Sequence, residues 1–285
     1  MDAEEKSRLV TQIGGQAIAE QDRRHTYCLI DQTSNTKIGT CIAIKLGERY
    51  FLASAAHVIQ NADNLQVLIR DQVTLSISDS IARHYDTGLD LGLIEIPPSD
   101  SHCFEFLSQN VLGTTISDEQ EIPVMVMGFP SQFCQPLKEI DLTTELTTRI
   151  IGCGTLTFNT VLLHKSEWPK EGLPDENGNY RPLIESRDIL IDYHPKSEVK
   201  PFTPKTAGTN NPSVECLSLD PHGISGGGIW FSQMAQKPTG VQFPDARLIG
   251  LQLGWHREKN LLRGIRIEAW LDFVRENYPD LKNVI

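Results

Sequence analysis

The sequence predicts an all-β protein in two strand-rich halves, closed by one C-terminal helix. Six apolar or alternating runs of strand length lie between residues 27 and 96, separated by short turn-rich segments. This spacing leaves no room for helices between the strands. A second set of seven such runs lies between residues 123 and 267, and only residues 269–278 have the apolar spacing of a helix.

Polar segments divide and interrupt these runs. Residues 1–24 read as a polar lead-in, and residues 97–120, which begin with two prolines, are the best candidate for a linker between the halves. Two inserts, 166–186 and 194–220, interrupt the second half. They are rich in Pro, Gly, Asn and Lys, which predicts surface loops.

Length, charge and cysteine spacing exclude several classes of protein. The 285 residues allow about two domains or one two-lobed unit. A net charge of −11 without a basic run argues against nucleic-acid binding, and no apolar stretch reaches membrane-spanning length. Six cysteines without zinc-ligand spacing, and no apolar leader, predict a cytoplasmic protein with reduced thiols, no bound metal and no cofactor.

Three short segments carry residues suited to nucleophilic catalysis. His57 ends an apolar run in LASAAHVI, Asp90 opens the run LDLGLIEI, and Ser225 lies in PHGISGGGIW. Taken singly, each has a plain structural explanation: a half-buried histidine, a turn-capping aspartate and a glycine-rich bend.

The serine segment has more specific chemistry than the other two. Glycines on both sides of Ser225 allow a sharp turn that exposes the hydroxyl and aims peptide N–H groups at a developing oxyanion. The G-x-S-x-G pattern also suits an α/β-hydrolase elbow. That fold fits poorly, because it needs alternating helices and a serine that precedes its histidine.

These segments, in the order His57, Asp90 and Ser225, resemble the trypsin-like serine peptidases of chymotrypsin fold, in a bacterial or intracellular branch. ASAAHVI is similar to the family's T-A-A-H segment, LDLGLIEI to its D-x-A-L strand, and GISGGGIW to its G-D-S-G-G segment. The strand pair before His57, and LIGLQLGW followed by GIRIEAWLDFV, match in register as well, so the resemblance runs from about residue 26 to residue 277.

The resemblance implies two perpendicular six-stranded antiparallel β-barrels with the active site between them. The expected divisions are a lead-in at 1–24, a first barrel at 25–112, a second barrel at 113–266 and a helix with tail at 267–285. It also implies that Ser225 attacks a carbonyl, that His57 transfers the proton and that Asp90 orients His57. The amides of Gly223 and Ser225 would form the oxyanion hole.

The sequence departs from the family at several positions. Ile224 replaces the aspartate that pairs with a new N-terminus after propeptide cleavage, so we expect other contacts to hold or switch the oxyanion loop. Val58 replaces the cysteine that follows the family's histidine, so that disulfide is missing. Asp86 lies four residues before Asp90 and could compete for the orienting role, although the position of Asp90 directly before its strand favours Asp90.

The substrate pocket is predicted less sharply than the triad. Its base falls at Leu219, which would favour an apolar substrate side chain, or at Asp220, which would favour a basic one. Leu253, Gly254 and Trp255 are the expected wall.

The resulting hypothesis is a serine endopeptidase that acts on a restricted protein or peptide substrate. We also expect that an activating or regulatory protein partner controls it, and that it acts without nucleic acid or membrane. A catalytically silent binding module and an esterase that uses the same triad are the alternatives, because triad chemistry does not dictate the acyl group that is cleaved.

Overall fold

The computed structural model describes residues 23–31, 36–60, 64–69, 73–77, 82–113, 122–131, 134–136, 151–153, 156–174, 178, 180–193, 220–232 and 246–285. Nearly all of the predicted lead-in and of the 194–220 insert therefore lies outside the described residues. Of the lead-in, Arg23 and Arg24 belong to a 3-10 turn that ends at His25.

The strands of the first half form one eight-stranded sheet. They are β1 (Thr26–Asp31), β2 (Thr36–Leu46), β3 (Arg49–Ala55), β4 (Leu65–Ile69), β5 (Val73–Ser76), β6 (Arg83–Asp86), β7 (Leu91–Ile96) and β8 (Leu107–Ser108). Their order is β5-β4-β1-β2-β3-β7-β6, with antiparallel neighbours, and β8 pairs with β2 in parallel. Apolar residues on these strands, such as Leu29, Ile42 and Phe51, are fully buried and form the core on this sheet.

The second half contains a closed six-stranded barrel. Its strands and two short added ladders are β9 (Ile122–Gly128), β10 (Cys134–Pro136), β11 (Ile151–Cys153), β12 (Leu156–Leu162), β13 (Leu173–Pro174), β14 (Tyr180–Arg181), β15 (Asp188–Asp192), β16 (Gly228–Ser232), β17 (Ala246–His256) and β18 (Leu261–Arg266). The barrel closes in the order β12-β15-β18-β17-β16-β9, while β10 pairs with β11 and β13 with β14.

Within the described ranges two α-helices accompany the strands, α1 (Ala56–Gln60) and α2 (Ile267–Asn277). Helix α2 buries one apolar face that includes Trp270, Phe273 and Val274, as its spacing predicts. The indole of Trp270 donates a hydrogen bond to the carbonyl oxygen of Gly92 in β7 at 3.3 Å. The closing helix thus packs against β17 and β18 of the barrel and also against β7 of the first sheet.

The predicted fold class is confirmed: the chain is mostly β, with a closed six-stranded barrel, a half-barrel sheet and a C-terminal helix. Other details differ from the sequence-based expectations. His57 lies in the short helix α1 rather than at the end of a strand. Part of the expected loop 166–186 forms the β13–β14 ladder. The expected linker 97–120 contains β8, and Leu112 bridges to Leu248 in β17.

None of the helices in the described ranges is long and apolar enough to cross a membrane. Three cysteines there are free thiols, namely Cys28, Cys41 and Cys103, and burial raises the pKa of the Cys41 thiol above its usual range.

Candidate active site

His57 and Asp90 are in direct contact at one end of the first sheet. The Nδ1 atom of His57 lies 2.9 Å from Oδ2 and 3.0 Å from Oδ1 of Asp90. The backbone N–H of His57 also donates to Asp90 Oδ1, at 3.0 Å. Both side chains keep solvent access, with 40% of the His57 side chain and 25% of the Asp90 side chain exposed. The carboxylate therefore fixes the ring orientation and favours a proton on Nδ1, which leaves Nε2 on the far side of the ring as the base.

Local backbone geometry explains how Asp90 reaches this position. It has a left-handed φ of 59°, which is uncommon for a residue with a side chain, and its carbonyl oxygen accepts a hydrogen bond from Ala56 N at 3.1 Å. Asp86 builds the preceding turn, because its Oδ1 accepts from Gly88 N at 2.7 Å and from Leu89 N at 3.0 Å. Of the two aspartates that compete in the sequence, Asp90 is the one that contacts His57.

Ser225 lies on a tight turn that leads into β16. We call residues 220–227 the nucleophile turn, after the candidate nucleophile Ser225. Gly223 and Gly226 have φ values of 91° and 85°, which residues with side chains rarely adopt. The Ser225 hydroxyl donates to the carbonyl oxygen of Leu253 at 3.0 Å. Among the described residues this is its one hydrogen bond, so the serine–histidine hydrogen bond that triad chemistry uses is not formed in this state.

The Gly223 and Ser225 N–H groups are the two expected oxyanion donors. In each case the carbonyl of the same peptide group, which belongs to the preceding residue, accepts a hydrogen bond. The His222 carbonyl accepts from Ser131 N at 2.8 Å, and the Ile224 carbonyl accepts from Gly227 N at 2.7 Å. A trans peptide directs its N–H away from its C=O, so these contacts set the directions of the Gly223 and Ser225 amides. Within the part of the chain that the structure describes, the Ser225 N–H donates no hydrogen bond.

The histidine and serine segments meet at Gly39 in β2. A Cβ atom added at Gly39 would lie 2.4 Å from Val58 Cγ1 and 3.1 Å from the Ser225 carbonyl oxygen. Val58 directly follows His57, so the histidine and serine segments approach each other over the face of Gly39 that lacks a side chain. The Val58 side chain fills part of this space.

The residues predicted for the substrate pocket contribute in different ways. Leu253 offers its carbonyl oxygen to Ser225, but its side chain is buried in the core. A Cβ at Gly254 would meet no atom within 4 Å, so the chain is open to approach there. Asp220 is exposed and accepts from His222 N at 2.9 Å, whereas Leu219 lies outside the described residues.

Trp255 belongs to an aromatic pair at the same end of β17. Its ring meets Tyr193 edge to face, with centroids 6.2 Å apart. Burial, followed by the charge of Asp220, raises the pKa of Tyr193 to about 12. Tyr193 thus packs against one of the predicted wall residues, and no motif marks it in the sequence.

Two further residues of the site have little signal in the sequence. Ser131 anchors His222, and Thr40 in β2 contacts the nucleophile turn through both its backbone and its hydroxyl. Each is far in sequence from the turn that it contacts, so no motif could have found them. No group of three or more His, Cys, Asp or Glu side chains in the described ranges could hold a metal ion.

This chain resembles known proteins in its structure and not in its sequence. No family model matches the chain, and neither does any curated protein. Among solved structures, an inactive serine-to-alanine mutant of Rv3671c from M. tuberculosis H37Rv superposes with a TM-score of 0.50 at 13% identity, over 92% of each chain. The inactive form of the Rv3671c protease gives 0.49 at 13% identity over 92% of each chain.

A viral structure is also similar at lower score. The serine protease domain of the Sesbania mosaic virus polyprotein gives a TM-score of 0.41 at 11% identity, over 88% of this chain and 91% of that chain. The likeness to the Rv3671c mutant shows a shared fold, which is that of chymotrypsin-like serine proteases.

Proposed function

We propose that this chain is a serine endopeptidase that cleaves peptide bonds through an acyl-enzyme. The observation that carries the proposal is the double contact of His57 Nδ1 with the Asp90 carboxylate, at 2.9 and 3.0 Å. An aspartate that accepts from Nδ1 holds the histidine ring in one tautomer and orientation, which is the role that the aspartate has in triad chemistry. Ser225, on a glycine turn that packs against the residue after His57, supplies the nucleophile.

The reaction would begin when the Ser225 hydroxyl leaves the Leu253 carbonyl and turns to His57 Nε2. Its oxygen then bonds to the substrate carbonyl carbon while its proton passes to Nε2. The C–N bond breaks as His57 returns that proton to the leaving amine. Water attacks the resulting ester, gives a proton to His57 and releases the acid, after which His57 reprotonates Ser225. The Gly223 and Ser225 amides would stabilise both oxyanions.

Labelling with a fluorophosphonate tests this proposal directly. The probe phosphonylates a serine only where a base and an oxyanion site activate it. We expect labelling of the wild-type chain at Ser225, none in Ser225→Ala, and a rate lowered by about 10⁴ or more in His57→Ala. Ser54→Ala is not a suitable control because Ser54 contacts Thr40, so Ser166→Ala, on a 3-10 turn of the second half, serves as the matched serine variant.

A catalytically silent binding module is the second candidate, and one observation favours it. The Ser225 hydroxyl donates to Leu253 rather than to His57 in this state. A wild-type chain that fails to react with the probe, with and without cell extract, would support the silent module over the enzyme.

Substrate class follows from a cleavage profile. If Ser225 is labelled, an unbiased peptide library would separate a peptidase from an esterase that uses the same residues. Cleavage after basic residues would implicate the exposed Asp220, whereas apolar preference would point to the other predicted base, Leu219. Hydrolysis of simple esters without any peptide cleavage would support the esterase.

The proposal also includes a restricted substrate or a dedicated activating protein, with the chain in the cytoplasm. Ile224 stands where related proteases carry the aspartate of zymogen activation, so control by propeptide cleavage is not expected. Rapid digestion of casein by the isolated chain would contradict the restricted-substrate part of the proposal while leaving its chemistry intact.

A further inference from the structure

Thr40 is a buried polar residue of the first sheet that lies against the nucleophile turn. It is 0% exposed, and no aspect of the triad mechanism uses it. Its backbone N–H donates to the Ser225 carbonyl at 2.8 Å, and its hydroxyl donates to the Gly223 carbonyl at 3.2 Å. Thr40 therefore holds the turn on both sides of Ile224.

The Thr40 hydroxyl joins three separate segments of the chain. Its single proton goes to Gly223 O, and one of its lone pairs accepts from Phe129 N at 3.0 Å, directly after β9. On the other side, the Thr40 carbonyl accepts from the Ser54 hydroxyl at 2.7 Å, in the strand that leads to His57. Thr40 thus lies between the histidine strand and the serine turn.

Packing keeps the hydroxyl in this position. A Cβ at Gly128 would lie 2.6 Å from Ile224 Cγ2 and 3.2 Å from Thr40 Oγ1, so these groups crowd around one glycine. Ile224 is fully buried there. In this chain an apolar side chain and a threonine hydroxyl thus occupy the place where the related proteases rely on an aspartate.

We propose that Thr40 is a positioning residue for the oxyanion hole, acting through the Gly223–Ile224 peptide that joins the two oxyanion amides. This inference rests on the proposed function. The N–H of this peptide donates to the Pro221 carbonyl within the turn, at 3.0 Å, and the Thr40 hydroxyl holds its carbonyl from the first sheet. Loss of the hydroxyl would remove the contact from the first sheet and would let the amides that stabilise charge in the transition state shift out of line.

Two variants separate the hydroxyl from the shape of the side chain. Thr40→Val keeps the β-branched volume and removes the hydroxyl, while Thr40→Ser keeps the hydroxyl. Thr26→Val is the matched control. Thr26 is also a buried threonine of the first sheet, at 3% exposure, but its hydroxyl points to the Met127 sulfur at 3.6 Å.

The readout is the dependence of labelling rate on the concentration of an alkyl fluorophosphonate, which yields kinact and KI. Because the oxyanion hole acts in the transition state, Thr40→Val is expected to lower kinact by about 10- to 100-fold and to leave KI within about twofold. Thr40→Ser should stay within about threefold of wild type, and Thr26→Val should not change kinact.

Hydrogen exchange gives a second readout that does not depend on activity. Peptides that cover 220–227 should exchange at least about tenfold faster in Thr40→Val than in the wild type or in Thr26→Val. If the wild-type chain is never labelled, the proposed function fails, and this exchange comparison still decides whether Thr40 orders the turn.

Three results would overturn the role of Thr40. They are unchanged kinact together with unchanged exchange in Thr40→Val, an equal loss in Thr26→Val, or a loss confined to KI. If Thr40→Val does not fold, Thr40→Ala replaces it, because it puts no methyl group against the polar partners, and the same outcomes decide.

Discussion

Replacement of Gly226 by alanine tests how closely β2 approaches the nucleophile turn. Gly226 has φ of 85°, and its N–H donates to the Gln252 carbonyl at 2.7 Å. An added Cβ would lie 2.0 Å from the Thr40 carbonyl oxygen and 2.4 Å from Ser54 Oγ. The first of these atoms belongs to the backbone of a central strand and cannot turn aside, so the turn must move.

The expected cost has two parts. A left-handed φ costs an alanine about 1 to 2 kcal/mol, partly offset by the lower entropy of the unfolded chain. The overlap with Thr40 requires a backbone shift of about 1 Å, and such overpacking costs about 1 to 3 kcal/mol. Gly226→Ala should therefore lower the free energy of unfolding by about 2 to 4 kcal/mol, a large share of a typical domain's stability.

Two other glycines separate these parts in urea denaturation. Gly178 has a similar φ of 79° with no atom within 4 Å of an added Cβ, so Gly178→Ala should cost about 1 kcal/mol from φ alone. Gly254 has neither a left-handed φ nor an atom within 4 Å of an added Cβ. The free energy of unfolding of Gly254→Ala should therefore lie within about 0.5 kcal/mol of the wild-type value. If Gly226→Ala cost no more than Gly178→Ala, the close packing of β2 against the turn would be wrong.

Three further predictions concern charged groups. Asp90→Asn should slow fluorophosphonate labelling about 10⁴-fold and leave the circular dichroism spectrum unchanged, because an amide donor that faces Nδ1 selects the wrong His57 tautomer. A labelling rate within about tenfold of wild type would contradict this. Asp188 is fully buried and accepts from Arg263 at 2.8 Å, so Asp188→Asn should lower the free energy of unfolding by about 2 to 4 kcal/mol in urea denaturation. A loss of less than about 1 kcal/mol would argue against this ion pair. Burial, then the charge of Arg263, lowers the pKa of His256 to about 4. The unfolded histidine binds its proton near pH 6.5, so His256 should lower the free energy of unfolding by about 3 kcal/mol between pH 7 and pH 4, and His256→Gln should lose that part of the pH dependence in urea denaturation.

Sequence periodicity predicted much of the fold because it reports local burial. The helix expected at 269–278 is found at Ile267–Asn277, and the expected strand at 91–96 is β7. The helical turn at His57 was not predicted, since ASAAHVI is mostly apolar and short apolar runs do not distinguish strand from helix. Strand β6 was missed as well, because Arg83–Asp86 is polar and only partly buried.

The parts of the site that sequence could not predict are those made by contacts between distant segments. Thr40 and Gly223 are 183 residues apart, and Ser131 and His222 are 91 apart. Motifs record which residue types lie near each other along the chain. They do not record that a threonine hydroxyl on the first sheet meets a glycine carbonyl in a turn of the second half. Departure from the family at Ile224 indicated that some other contact was needed, without indicating which.

The hydroxyl of Ser225 connects these observations to control of the site. When the hydroxyl exchanges a neutral hydrogen bond to Leu253 for one to His57, the free energy changes by about 1 kcal/mol. This corresponds to roughly a fivefold change in the population of the two states, which is weak control of activity. A stronger switch would have to act on the peptides around Gly223 and Ser225. Thr40 contacts the carbonyls of Gly223 and Ser225 from the first sheet, so a shift of that sheet relative to the barrel would change both the distance from His57 to Ser225 and the directions of the proposed oxyanion amides. The junction of the two halves is therefore the place where a regulatory partner would have the greatest effect.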